Sequence, residues 1–126
     1  SSAVLAISAV VSGPALLAAR AAMGKPALEA LEREVPGATA EYAEHDLTPL
    51  APRLTHQIAC LTGTRDGLTR PGDVAAFAAR LSPAPFVETV PEAEHCPSGP
   101  AYAEALDRAL AYLIARWPAL TPSNGA

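Results

Sequence analysis

The sequence has few of the residues that mark several large classes of protein. It contains only two cysteines, Cys60 and Cys96, which are too few for the disulfide framework of a small secreted domain. Lysine and arginine together number nine and are scattered along the chain, so no basic surface for nucleic acid is predicted. No apolar run reaches the ~20 residues that a membrane-spanning helix needs. We therefore expect reduced thiols in a cytoplasmic protein that neither binds nucleic acid nor spans a membrane.

The apolar content is ordinary for a folded protein. Half of the 126 residues are hydrophobic, which is sufficient for one domain with its own core. The chain begins with Ser1, without an initiator methionine and without a basic segment before its first apolar run. This start does not have the pattern of a signal peptide. We expect it to correspond to the interior of a longer protein.

Three short apolar segments predict β-strands, at residues 3–11, 57–62 and 86–90. The first is ended by Ser12, Gly13 and Pro14, and its continuous apolar character predicts burial on both faces. The second leads through an acid-containing loop, and the third releases a histidine. Each strand is therefore followed by turn-forming or polar residues.

Helical patterns lie between the strands and after the last of them. They cover residues 15–23, residues 26–34, residues 74–81 with Asp73 as the N-cap, and a last helix that begins at Ser98 or Gly99. The last helix has a predicted apolar face made of Tyr102, Leu106, Leu110, Leu113 and Trp117. Residues 38–56 show no sustained period and are predicted to form a connecting or lid segment. Residues 118–126 are predicted to be a frayed tail.

This order of strands and helices predicts the fold class. A strand, helices, a strand, a helix, a strand and a final helix fold by right-handed crossovers into a parallel sheet between two helical layers. The expected class is thus α/β, with three α/β/α layers.

Asp66 and His95 are the candidate site residues. Asp66 follows the second predicted strand, and His95 follows the third, twenty-nine residues later. Groups just past the carboxyl ends of parallel strands converge on one edge of the sheet, so we expect the two side chains to lie close together. The alternative is that Asp66 only closes a turn with Gly67 and that His95 is an exposed loop residue.

The segments Leu61 to Pro71 and Val90 to Cys96 resemble the acid and histidine segments of the α/β-hydrolase family. In that family the triad residues follow the chain order Ser, Asp or Glu, His. The resemblance covers the last three strands of the family's sheet, so the chain would be the C-terminal part, residues 1–126, of a partial α/β-hydrolase fold. Residues 14–53 would then be part of the lid, which the family commonly inserts after its sixth strand.

The resemblance implies a hydrolase of ester or acyl-type small molecules that needs no cofactor. Asp66 would orient His95, and His95 would act as general base and then as general acid for a serine. The serine itself is not found, since no G-x-S-x-G turn occurs in the sequence. We therefore expect the nucleophile upstream of this chain, and the chain alone to be inactive. Hydrolysis is the default reaction, although acyl transfer passes through the same acyl-enzyme.

Other chemistries have weaker support in the sequence. Cys96 adjoins His95, but neighbouring residues normally point apart, and an unactivated cysteine is a weak nucleophile. His45, Asp46, His56 and His95 lack the short spacing of metal ligands. Arg65 and Arg70 flank the acid and could meet an anionic substrate group, or be solvated loop charges.

A second hypothesis is a non-catalytic or truncated α/β-hydrolase-like module. Its first strand would present an unpaired apolar edge, which is a liability in water. This hypothesis predicts association with another chain, including self-association, through that edge.

Overall fold

The computed structural model describes residues 3–116 of the chain. Three strands form a parallel sheet in the order β1 (Ala3–Ile7), β2 (Gln57–Gly63), β3 (Phe86–Val90). The registers place Ala6 beside Cys60 in one pair of strands and Gly63 beside Val90 in the other. β2 is therefore central, and its carboxyl end lies level with that of β3.

The helices follow the predicted order, with additions between β1 and β2. Within residues 3–116 the strands are connected by α1 (Gly13–Ala22), α2 (Lys25–Glu34), α3 (Ala38–Glu44), the 3₁₀ helix Thr48–Arg53 and α4 (Pro71–Ala78), and α5 (Gly99–Arg116) follows β3. None of the helices described is long and apolar enough to cross a membrane.

Successive residues of β2 face opposite helical layers, as the pleat of a strand requires. Ile58 and Cys60 belong to the core shared with α4, and Ala59 and Leu61 to the core shared with α5. The first core also includes Val74, Phe77 and Leu81, and the second also includes Val90, Tyr102, Ala105, Ala109 and Leu113. The predicted α/β class with three layers and a parallel sheet is thus confirmed.

The first strand is shorter and more exposed than predicted. It ends at Ile7, because Ser8 adopts a positive φ of 47°, which extended backbone does not allow. Val4 and Ile7 are 40% and 37% exposed, so the expectation of burial on both faces was wrong. The physical reason is that β1 pairs with β2 alone among the described strands, and the helical layers cover it incompletely.

The connecting region between β1 and β2 has more regular structure than predicted. Ser12 does not simply end the strand; its hydroxyl accepts a hydrogen bond from the N–H of Ala15 at 3.2 Å and caps α1. α3 lies in the stretch predicted to be irregular. α1, α2 and α3 share a small core of their own, built on Leu16, Leu31 and Ala38.

Two details of the later helices also differ from prediction. α4 begins at Pro71 with Arg70 at the N-cap position, so Asp73 lies in the first turn and pairs with Arg70 at 2.9 Å. α5 turns Ala105 and Ala109 toward the sheet, while Leu110 is 41% exposed. Trp117 and the predicted tail at residues 118–126 lie outside the described residues.

Candidate active site

Asp66 is held by the turn that follows β2. Its N–H donates to the carbonyl of Gly63 at 3.1 Å, which closes the turn at the end of the strand. The side chain is fully buried, and Oδ1 accepts hydrogen bonds from the N–H groups of Leu68 at 3.0 Å and Thr69 at 2.7 Å. The carboxylate therefore has a fixed position just beyond the carboxyl end of the central strand.

His95 reaches the same place from the loop after β3. Its Nδ1 lies 3.0 Å from Oδ2 and 3.2 Å from Oδ1 of Asp66. The imidazole remains 41% exposed, so one edge of the ring contacts the buried acid while the rest faces outward. The structure thus brings together the two residues that the sequence singled out.

The loops that carry the two residues are joined by backbone contacts. The N–H of Thr64 donates to the carbonyl of Val90 at 3.0 Å, and the N–H of Arg65 donates to the carbonyl of Ala93 at 2.9 Å. The hydroxyl of Thr64 accepts a hydrogen bond from the N–H of Glu92 at 2.8 Å. Within the described residues, these bonds fix the histidine loop against the end of β2.

Gly63 allows this close approach. A Cβ atom at this position would lie 2.1 Å from the carbonyl oxygen of Ala93, which no real contact permits. The sequence analysis did not identify Gly63, although a glycine at the end of a strand pattern is a known sign of close backbone approach. Glu92, whose φ is 64°, turns the chain back toward His95 and pairs with Arg65.

The pair has the geometry of a carboxylate that orients an imidazole. When Nδ1 carries the proton and donates it to Asp66, Nε2 is left as an acceptor on the exposed side of the ring. No side chain of residues 3–116 forms a hydrogen bond with Nε2. An imidazole in this tautomer can remove a proton from a hydroxyl group that approaches Nε2.

None of the four serines in residues 3–116 forms a hydrogen bond with His95. Ser8 lies 3.5 Å from the hydroxyl of Tyr102, and Ser12 caps α1. Ser82 precedes a proline, and Ser98 immediately precedes α5. None of these serines therefore occupies the position of a nucleophile for this histidine.

The other candidate groups do not join the pair. Arg65 is paired with Glu92 and Arg70 with Asp73, so both loop arginines already have partners. No group of three or more metal-ligating side chains occurs within residues 3–116. Cys96 is exposed, and Cys60 is buried in β2, where burial raises the pKa of its thiol to about 11.

Comparison with solved structures places the sheet and its helices in a known fold. The chain superposes on an esterase from Pyrococcus furiosus with a TM-score of 0.67 and 15% identity over 91% of its length. It superposes on a monoacylglycerol lipase from Paleococcus ferrophilus with a TM-score of 0.59 and 18% identity over 90% of its length. The chain has part of the α/β-hydrolase fold.

The resemblance to α/β-hydrolases is therefore confirmed for the fold. The chain spans 45% of the esterase and 58% of the lipase, about half the length of each. No family model matches the sequence, and no curated protein is significantly similar to it. At these identities the likeness concerns the fold, and the activity has to be argued from the site.

Proposed function

We propose that this chain contributes the acid and the histidine of a Ser-Asp-His triad to a hydrolase of ester or acyl-type substrates. The observation that carries the proposal is the contact of a fully buried Asp66 carboxylate with Nδ1 of a half-exposed His95. This arrangement leaves Nε2 directed away from the acid. A turn residue beside an unrelated surface histidine would not require burial of the carboxylate.

In the proposed mechanism Asp66 and His95 have different roles. Asp66 holds His95 in the tautomer with the proton on Nδ1 and stabilises the imidazolium that forms. His95 removes the proton of the serine hydroxyl through Nε2 and later gives it to the leaving group. A water molecule, deprotonated by His95 in the same way, then attacks the acyl-enzyme and releases the acid. Hydrolysis is the default reaction, and transfer to another acceptor would pass through the same acyl-enzyme.

The proposed nucleophile belongs to a segment that precedes Ser1. The family order Ser, Asp, His places the serine before the acid, and no serine of residues 3–116 meets the histidine. The proposed domain is accordingly one α/β-hydrolase domain of which residues 1–126 form the C-terminal part. Residues 14–53 would form part of its lid, and they contain α2, α3, the 3₁₀ helix and all but the first residue of α1.

The test is kinetic and uses the protein encoded by the full reading frame that contains this chain. We expect His95→Ala and Asp66→Asn each to lower kcat for a p-nitrophenyl ester by roughly 10³- to 10⁴-fold, because each leaves the serine without an oriented base. His56→Ala is the matched control, since His56 precedes β2 at the opposite end of the sheet. Normal turnover by the His95 variant would disprove the assignment.

A non-catalytic module that associates with another chain is the second candidate. It is favoured by the exposure of Val4 and Ile7 on β1, whose outer edge has no partner strand within the described residues. An apolar edge of this kind pairs readily with another strand. Light scattering of the 126-residue chain distinguishes the two: stable dimers together with an inactive full-length protein would favour the module.

A further inference from the structure

The buried polar residues of the described chain are concentrated at one place. Thr62, Asp66 and Thr69 are 1%, 3% and 4% exposed, and they are the buried polar or charged residues within residues 3–116. All three lie at the carboxyl end of β2 or in the turn that follows it. A buried polar group without a hydrogen-bond partner costs free energy, so each of these side chains is expected to have partners. Those partners show how the turn that carries Asp66 is held.

Thr69 connects the acid to two strands. Its N–H donates to Oδ1 of Asp66 at 2.7 Å, and its carbonyl accepts a hydrogen bond from the hydroxyl of Thr62 at 3.3 Å. Its own hydroxyl donates to the carbonyl of Ser8 at 3.2 Å. One residue therefore ties the Asp66 turn to the end of β2 and to the end of β1.

The Ser8 carbonyl, which accepts the hydrogen bond from Thr69, is itself held in place. Ser8 has a positive φ of 47°, and its N–H donates to the carbonyl of Leu61 at 2.9 Å. A non-glycine residue with positive φ is uncommon and persists where the surrounding structure holds it. The Ser8 carbonyl thus offers Thr69 an acceptor whose place is set by backbone hydrogen bonding to the neighbouring strand.

We propose that Thr69, supported by Thr62, is a positioning residue for the acid of the candidate site. This inference rests on the proposed function, because it concerns how Asp66 is held for His95. In this role Thr69 acts on His95 only through Asp66, whose Oδ1 accepts the Thr69 N–H. Holding this N–H in place keeps the carboxylate at a fixed position relative to the loop that carries His95.

The hydroxyl of Thr69 is the group to remove. Thr69→Val keeps the shape and the backbone N–H but loses the hydrogen bond from the Thr69 hydroxyl to the Ser8 carbonyl. We expect kcat of the full-length protein to fall about tenfold with KM unchanged, since a loosened acid affects proton transfer and not substrate binding. Thr69→Ser retains the donor and restores kcat. Thr55→Val, at an exposed residue before β2, is the matched control and leaves kcat unchanged.

A spectroscopic signature separates positioning from general loss of stability. The measurement is NMR of the full-length protein with labelled histidine, in which a proton that Nδ1 of His95 donates to Asp66 would give a downfield signal. We expect this signal to be present in the wild type and in Thr69→Ser and Thr55→Val, and to be lost in Thr69→Val. If Thr69→Val does not fold, Thr62→Val removes only the bond to the Thr69 carbonyl and is expected to weaken the same signal.

The outcomes distinguish this inference from the proposed function. If His95→Ala and Asp66→Asn abolish turnover while Thr69→Val matches Thr55→Val in kcat and in the Nδ1 signal, only the positioning role is overturned. If His95→Ala is fully active, the proposed function fails first. A drop in kcat for Thr69→Val that Thr69→Ser does not restore would likewise overturn the role of the hydroxyl.

Discussion

A methyl group added at Gly63 probes how the acid and the histidine are held together. A Cβ atom there would lie 2.1 Å from the carbonyl oxygen of Ala93 and 2.5 Å from its carbonyl carbon. Both atoms belong to the backbone, so rotation of a side chain cannot relieve the overlap. Ordinary van der Waals contact begins at 3.4 Å, and the Ala93 oxygen would have to retreat by about 1.3 Å.

That retreat acts on His95, which lies two residues further along the same loop. Its Nδ1 is 3.0 Å from Oδ2 of Asp66, and a shift of about 1 Å would take the pair beyond hydrogen-bonding distance. Misplacement of a reacting group by roughly 1 Å costs about 100-fold in rate. We expect Gly63→Ala to lower kcat by about that factor and the free energy of unfolding by about 1–3 kcal/mol.

The assay is hydrolysis of a p-nitrophenyl ester by the full-length protein, together with urea denaturation of the same variants. Gly72→Ala is the matched control, because a Cβ atom at Gly72, in the first turn of α4, meets no other atom within 4 Å. If Gly63→Ala turns over substrate as fast as Gly72→Ala, the backbone contact with Ala93 does not position His95, and this reasoning is refuted.

Two further predictions follow from shifted pKa values. Burial raises the pKa of the Cys60 thiol to about 11, whereas Cys96 is exposed. A thiol reagent at pH 8 should therefore modify Cys96 alone in the native chain and both cysteines in denaturant. Modification of both cysteines in the native chain would contradict the packing of β2. The hydrogen bond from Arg108 lowers the pKa of Glu88 below its ordinary 4.5. Glu88 therefore stabilises the fold above pH 4.5, and the contribution is lost as the pH falls through the lowered value. Glu88→Gln should lower Tm slightly at pH 7, with the difference vanishing in acid; a constant difference would contradict the ion pair.

The placement of Asp66 and His95 at one edge of the sheet was predictable because it depends on where two parallel strands end. The apolar stretch of β2 stops at a glycine and a polar loop, and β3 stops two residues before Glu92. In a parallel sheet these ends must lie at the same edge. The sequence therefore sufficed to place both residues at one site, whereas their catalytic roles stay a prediction.

The buried face of α5 could not be chosen from the sequence. Tyr102 and Leu113 belong to two helical stripes, one continued by Leu106 and Leu110 and the other by Ala105 and Ala109. Both have helical spacing, and the larger side chains favoured the first stripe. The structure buries the alanines completely, because small residues let the helix lie close to β2 and β3. On the helix packed in this way, Arg108 donates two hydrogen bonds to the carboxylate of Glu88 on β3.

α3 was missed for a different reason. Its N-terminal donors are satisfied from the preceding helix, where Glu32 accepts hydrogen bonds from the N–H of Gly37 at 2.6 Å and that of Thr39 at 3.1 Å. These bonds lower the pKa of Glu32. A capping residue normally lies at the start of its own helix, so a cap supplied from five residues upstream leaves no local signal.

The junction between the two loops of the candidate site places few demands on side-chain identity. The loops that carry the acid and the histidine are joined mainly through backbone groups of Thr64, Arg65, Val90 and Ala93. Apart from the pair itself and the threonine hydroxyls around it, the contact needs a residue without a side chain at Gly63. Many sequences can supply such contacts, since backbone hydrogen bonds are available to almost any residue.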